Sequence, residues 1–200
     1  CLTQNNKYSF ELGFATFYMN RTNRSGIIKG GVIGGVDQSG VWKMDARFNR
    51  EELIRRVESI AKRKSDIKLY NKDINSFITR YIPQYEENAL VYFDPPYFKK
   101  GKQLYMNYFK LEDHVRIERV IRNYVQCDWI ITYDYAKEIE EIYKDYSMCL
   151  YDLKYSVSSK CKASELMIFK DGIVIPHDEK LQKQKIKLNI RPYIVQEQRI

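Results

Sequence analysis

An acid, two prolines and a tyrosine stand in a row at Asp94-Pro95-Pro96-Tyr97. The prolines fix φ twice and remove two backbone donors, so the string is stiff and no following helical turn absorbs its carbonyls. Asp94 and the Pro95 carbonyl are therefore two acceptors at fixed spacing, with the Tyr97 ring beside them. Such a set suits a flat heterocycle bearing an amino group: each acceptor takes one N–H and the ring stacks. The bland alternative makes Asp94 a helix cap and Tyr97 a core ring.

Chemistry of this kind needs a rigid platform. The run Ala89-Leu90-Val91-Tyr92-Phe93 is short, continuous and rich in aromatic and β-branched residues, which predicts a buried central strand ending at the acid. In open α/β sheets, ligands bind outside the carboxyl ends of strands. Further segments alternate in the same way. Ile67–Tyr70 predicts a short strand, Ile74–Ile78 a short helix, and Leu111–Val125 a helix with Val115, Ile117, Val120 and Ile121 at helical spacing. Trp129–Tyr133 is a second buried strand; Thr132-Tyr133-Asp134 ends it on the same edge and helps to shape the pocket. Lys137–Tyr143 is helical, and Cys149–Leu153 and Glu165–Phe169 are closing strands. The polar, basic tail from 175 to 200 adds an edge strand at Ile186–Leu188 or stays loose. The pattern is that of a layered α/β sheet.

The first third reads differently. Residues 10–19 favour a helix, since rings recur at 10, 14, 17 and 18. Six glycines between 26 and 40 then exclude regular helix. The stretch Asn20–Gly26, with Gly30-Gly31 and Gly34-Gly35, suits a hairpin arm presenting Arg21, Arg24 and Lys29. No Gly-Lys-Ser/Thr ending follows, so it is not a phosphate-binding P-loop. Asn49 is a suitable N-cap for a helix beginning at Arg50, with Glu52 as its capping-box partner and Lys62-Arg63-Lys64 at the far end.

Composition bounds the partners. The 200 residues carry 34 Lys plus Arg against 26 Asp plus Glu, a formal charge of +8. That excess favours a polyanion, and 17 tyrosines and 9 phenylalanines offer rings on which bases can stack. Cys1, Cys127, Cys149 and Cys161 lack disulfide or metal-ligand spacing, and His114 and His177 are remote from each other. No metal site is expected. No signal peptide or membrane-length apolar run stands out, so the expected setting is cytoplasmic.

These motifs together resemble the DNA adenine methyltransferases of the Dam type, particularly those of phage and restriction systems, over roughly residues 10–170. The carriers are Asp94-Pro95-Pro96-Tyr97; the arm Asn20–Gly26 running into Gly30–Gly35; Tyr105-Met106-Asn107-Tyr108-Phe109 with Asp113-His114; and Lys162-Ala163-Ser164-Glu165-Leu166. The resemblance implies S-adenosylmethionine as cofactor and double-stranded DNA as partner, with methyl transfer to the exocyclic amine of adenine. It assigns Asp94, Pro95 and Tyr97 to the reaction, and Asp94, Asp73 and Ile74 to the cofactor. Tyr97, Phe98, Tyr105 and Asn107 line the target-base pocket. Arg21, Asn23, Arg24, Lys29, Arg47, Lys99, Lys100 and Lys102 meet DNA.

The expected fold is a partial Rossmann-like sheet with helices on both faces at 66–200, preceded at 1–65 by a mainly helical recognition region with a glycine-rich arm. The family's N-terminal glycine-rich cofactor loop is not recognisable here. The chain alone is therefore expected to be inactive, with an exposed sheet edge covered by another copy, a partner or an upstream segment. The competing readings are a DNA-binding or assembly module without activity, and an amino-methyltransferase acting on RNA or protein.

Overall fold

The computed structural model describes residues 9–85, 88–99, 101, 108–154, 162–175 and 189–193. They fall into two compact units, Cys1–Tyr70 and Asn71–Ile200.

In the first unit, helix α1 spans Phe10–Thr22 and α2 spans Arg50–Ala61. Ser9 opens α1 by accepting from the Leu12 amide at 3.2 Å, a side-chain N-cap. The rings explain its periodicity: Phe10, Phe14 and Tyr18 stack in series at 6.3 Å spacings. Phe17 and Tyr18 meet Phe48 edge-on at 6.3 and 5.4 Å. Asn49 caps α2 through the Glu52 amide at 3.1 Å. The expected reciprocal half of that capping box is not what Glu52 does. Its carboxylate takes Arg55 and Arg56 at 2.9 and 2.8 Å, because two guanidinium groups on the same helix face are stronger donors than one backbone amide.

The segment between the helices is a knitted loop. Asn23 and Val32 form an isolated antiparallel bridge. Gln38 ties its far end: Nε2 donates to the Ile33 and Gly35 carbonyls, and Oε1 accepts from the Met44 amide. Gly34 has φ +88°, and a Cβ there would lie 2.7 Å from the Trp42 carbonyl oxygen, so only glycine fits.

In the second unit, five strands form one sheet in the order β1-β2-β4-β3-β5. They are β1 Leu90–Phe93, β2 Asp128–Asp134, β3 Ser147–Lys154, β4 Lys162–Phe169 and β5 Asn189–Tyr193. Only β1 and β2 pair in parallel, and the crossover between them carries helix α4, Leu111–Tyr124. The remaining pairs are antiparallel. Helix α3 covers Ile74–Arg80 and α5 covers Lys137–Ile142. This mixed α/β architecture is consistent with a Rossmann-like fold.

The core forms on one face of the sheet. Phe93, Trp129, Ile131, Tyr133, Leu166 and Ile168 meet Ile78 of α3, Ile117 and Ile121 of α4, and Ile139 of α5. Helices on both faces are thus not seen among the described residues. The β2–β3 connection carries α5, and its Ile139 joins the same core as α3 and α4, so that helix too lies on this face.

Two further expectations change. Among the described residues, the strand that ends at Asp94 lies at the edge of the sheet rather than in its centre; Leu90 and Tyr92 are 64% and 58% exposed. Ile67–Tyr70 does not join the sheet, and Leu69 is 92% exposed. Four residues interrupted by Lys68 bury too little on either face to hold a strand. The proposed edge strand at Ile186–Leu188 lies outside the described residues. Among those described, no helix is long and apolar enough to cross a membrane.

Ile121 is 1% exposed and packs within the core shared by α4 and the sheet. Ile121→Ala should destabilise the second unit by about 2–5 kcal/mol. Urea unfolding followed by far-UV circular dichroism measures this directly.

Candidate active site

The loop after β1 is held from a neighbouring strand. Pro95 and Pro96 have no N–H to give, so the first amides available for anchoring belong to Tyr97 and its successors. Phe98 N–H and Lys99 N–H donate to the two carboxylate oxygens of Asp134, at 2.7 and 2.9 Å. Asp134 is the last residue of β2 and is buried. A carboxylate accepting two adjacent backbone amides makes a pair of charge-assisted bonds, so the turn is pinned on both sides of its axis. The apolar run of β2 brings Asp134 to the same edge as Asp94, since β1 and β2 run parallel in register from Leu90–Asp128 to Phe93–Ile131.

Beneath that loop lies His114 of α4, fully buried. Its ring meets Phe98, Phe109 and Tyr133 edge-on at 5.5, 5.6 and 5.3 Å. Nδ1 is 3.2 Å from the Tyr133 hydroxyl. Burial lowers its pKa, against the opposing pull of Asp113 and Asp134, and this favours the neutral ring. A neutral imidazole packs among aromatic rings as a Phe would, while still supplying a polar handle to Tyr133.

Asp94 stands at the rim of a pocket of about 260 Å³. Ile74, Phe77, Val91, Phe109 and Ile131 form its apolar walls, and Pro95 and Pro96 close its mouth. The carboxyl of Asp94 is pushed above the ordinary range, first by loss of solvent and then by the negative charge of Glu165. A raised acid pKa in the folded state means that protonation favours folding. That contribution is present below the unfolded pKa and fades as pH rises through the folded one, so near neutrality ionised Asp94 opposes folding. Residues that act on a ligand are often placed where the fold would rather not have them.

Tyr97 is half-buried, and its hydroxyl donates to Glu165 Oε1 at 3.0 Å. The other oxygen of Glu165 accepts from the Tyr151 hydroxyl. Glu165 is 5% exposed, in the middle of β4, facing Tyr151 of β3 and Asp134 of β2 in the ladder. Tyr92 and Thr132 join hydroxyls at 2.7 Å across the two parallel strands.

Asp94, Pro95 and Ile74 thus line one pocket, whereas Tyr97 turns its hydroxyl to Glu165. Phe98 turns its ring onto His114. Asp73 caps α3 by accepting from the Asn75 and Ser76 amides at 3.1 and 3.2 Å. Lys99 is exposed, with its ammonium 5.7 Å from the Tyr135 ring centroid. Lys100, Lys102, Tyr105 and Asn107 lie outside the described residues.

In the first unit, Arg21 and Asn23 hold the arm together. Arg21 sends Nε and Nη2 to the Arg47 carbonyl at 3.0 and 2.8 Å, and the half-buried Arg47 side chain follows from the same turn. Asn23 is buried and donates to the Ile28 carbonyl at 2.7 Å. Arg24 and Lys29 are exposed.

Glu165 and His114 had no assigned role in the sequence beyond the motifs that contain them. One signal for Glu165 was available: a carboxylate inside the apolar strand Leu166–Phe169 and its neighbours must be buried with partners or not at all.

A parallel strand pair with its crossover helix, and an acid at the carboxyl end of the first strand beside an apolar pocket, define an α/β protein with a candidate site at the edge of its sheet. A family model for the D12 class N6 adenine-specific DNA methyltransferases matches residues 7–157. The chain belongs to that family, which implies S-adenosylmethionine-dependent chemistry on DNA adenine. No curated protein matches the chain.

If Asp134 pins the loop, Asp134→Ala should release it. Losing hydrogen bonds to a charged group should cost about 2 kcal/mol of local stability. Hydrogen exchange at the Phe98 and Lys99 amides should then accelerate by about thirtyfold, from the same figure. Unchanged protection would show that the loop is held by something else.

Proposed function

We propose that the protein transfers a methyl group to the exocyclic amine of adenine in double-stranded DNA at a defined sequence. The observation that carries this reading is the placement of Asp94. It stands at a strand's carboxyl end, in a loop pinned by Asp134, beside a pocket whose walls are apolar.

The residues fit the cofactor the family implies. Ile74, Phe77 and Val91 offer apolar surface to a purine, and Asp94 with Glu165 gives the pocket mouth a negative field suited to a sulfonium cation. Asp73 and Ile74 would hold the purine end, Asp73 as an acceptor while it caps α3. When bound, S-adenosylmethionine supplies an electrophilic methyl group.

The chain's own residues prepare the nucleophile. An aromatic amine is poor at this because its lone pair is delocalised into the ring. Asp94 and the Pro95 carbonyl each accept one N–H, drawing charge onto the nitrogen and fixing the direction of its lone pair. Asp94 need not be a strong base, since the proton becomes acidic only as the new bond forms. Tyr97, with Phe98 beneath the loop and Tyr105 and Asn107 nearby in sequence, receives an adenine taken out of the stack.

Recognition falls to the first unit. Arg24 and Lys29 present exposed cations for the duplex, and Arg21, Asn23 and Arg47 shape the arm that carries them. Lys99, Lys100 and Lys102 add positive charge for backbone phosphates beside the flipped base. The order of arm before catalytic string is that of the Dam type.

The complete protein carrying Asp94→Ala should retain DNA binding at low salt but lose methyl transfer. One charged acceptor removed from the transition state costs on the order of 2–4 kcal/mol, or about 30- to 1,000-fold in rate. Single-turnover transfer from labelled cofactor measures this. A rate within about tenfold of wild type, some 1.4 kcal/mol, would remove Asp94 from the chemistry.

A further inference from the structure

Glu165 is a costly residue for its position. It is 5% exposed in the interior of β4, and a buried carboxylate is tolerated only when its oxygens find donors. Both oxygens do: Oε1 accepts from Tyr97 and Oε2 from Tyr151. The two donors differ in kind. Tyr151 is buried on the adjacent strand, two-thirds of the way along the β3–β4 ladder, so that bond ties Glu165 to the sheet. Tyr97 is half-buried, 68 residues away in sequence, and stands on the loop that follows the proline pair.

The chain of support is therefore directional. The sheet fixes Tyr151, Tyr151 fixes Glu165, and Glu165 reaches out to the one ring of the Asp94–Tyr97 string. Pro95 and Pro96 stiffen the backbone before Tyr97, and Asp134 fixes the two amides after it. Both act on the backbone. The Glu165 bond acts on the side chain and fixes where the hydroxyl end of the ring sits.

We propose that Glu165 is a positioning residue for the target base: it holds the hydroxyl end of the Tyr97 ring, so that the ring's place on the loop is set before an adenine arrives. This rests on the methyltransferase reading given above. A platform ordered in advance lowers the entropy cost at the reacting geometry, so the effect belongs to the chemical step rather than to duplex affinity. The negative charge that Glu165 brings near Asp94 is a cost to the fold that a purely structural glutamine would avoid.

Two measurements test the proposal. In the first, 3-fluorotyrosine is placed at position 97 of the full chain and its fluorine resonance is recorded without DNA. In wild type the resonance should sit away from that of exposed fluorotyrosine. Glu165→Ala should move it to the exposed position, and Glu165→Gln should move it part of the way. A resonance unchanged in both variants overturns the proposal. In the second, Tyr97→Phe, Glu165→Gln and the double variant of the complete protein are compared in single-turnover methyl transfer, with melting temperatures measured alongside. Each single variant should slow transfer by about tenfold, the rate equivalent of one lost hydrogen bond, with KM for DNA unchanged. The double variant should be no slower than the worse single by more than about twofold. Additive losses near a hundredfold, or a rise in KM with the rate constant intact, would overturn it. Tyr97→Phe deletes one oxygen and leaves the core untouched, so it carries the test even if the Glu165 variants unfold. A wild-type protein that moves no methyl group to DNA would overturn the functional reading alone, and the fluorine resonance would still decide whether Glu165 holds the ring.

Discussion

A buried carboxylate at the end of β2 takes two consecutive backbone amides from the loop after β1, and the geometry of the site follows from that pair of bonds. Proline supplies stiffness but no donors, so a double-proline turn cannot anchor itself. Asp134 provides the anchor from the next strand. Because β1 and β2 are parallel, their carboxyl ends lie side by side, and an acid ending one strand can hold the loop leaving the other. Asp94, the Pro95 carbonyl and Tyr97 inherit their relative positions from this arrangement.

The charge in this corner has consequences for stability and for chemistry. Asp94, Asp134 and Glu165 come from three different strands or their ends and converge on one edge. Asp134 and Glu165 are buried with donors, whereas Asp94 sits at the rim with its carboxyl pushed upward by desolvation and by Glu165. The ionised Asp94 carboxyl therefore opposes folding at neutral pH. It suits a reaction in which a cationic methyl donor meets an amine that becomes positive as the bond forms. The neutral His114 beneath the loop adds support without adding charge.

Much of the fold was readable because its signals are local. The apolar run before Asp94, the amphipathic spacing from Leu111 to Tyr124 and the aromatic recurrence at 10, 14, 17 and 18 each predicted the element found. Asn49 was legible as a cap because its partner is three residues away. What the sequence concealed depends on register across distance. Asp134 meets residues about 35 positions earlier, and Glu165 meets Tyr97 only because β4 returns antiparallel beside β2. Nothing local to Glu165 states which rings it will serve. The error at Ile67–Tyr70 has the same origin: a short apolar run reads as a strand until the sheet shows that no strand pairs with it among the described residues. The break in regular helix after Gly26 was legible in the glycines, while the work of Gln38, whose side chain joins Ile33, Gly35 and Met44, was not.

The site itself divides along the same line. The string Asp94–Tyr97 stood out from residue type and spacing alone. Its supports came from the sheet. The central claim is that this supported string presents acceptors to the exocyclic amine of adenine, and the most direct test is the position of the product's methyl group. Duplex DNA is incubated with the complete protein and S-adenosylmethionine carrying a labelled methyl, digested to nucleosides and resolved by mass spectrometry. The account predicts label on N6 of deoxyadenosine; label confined to deoxycytidine, or appearing only on RNA or protein offered in parallel, would contradict it.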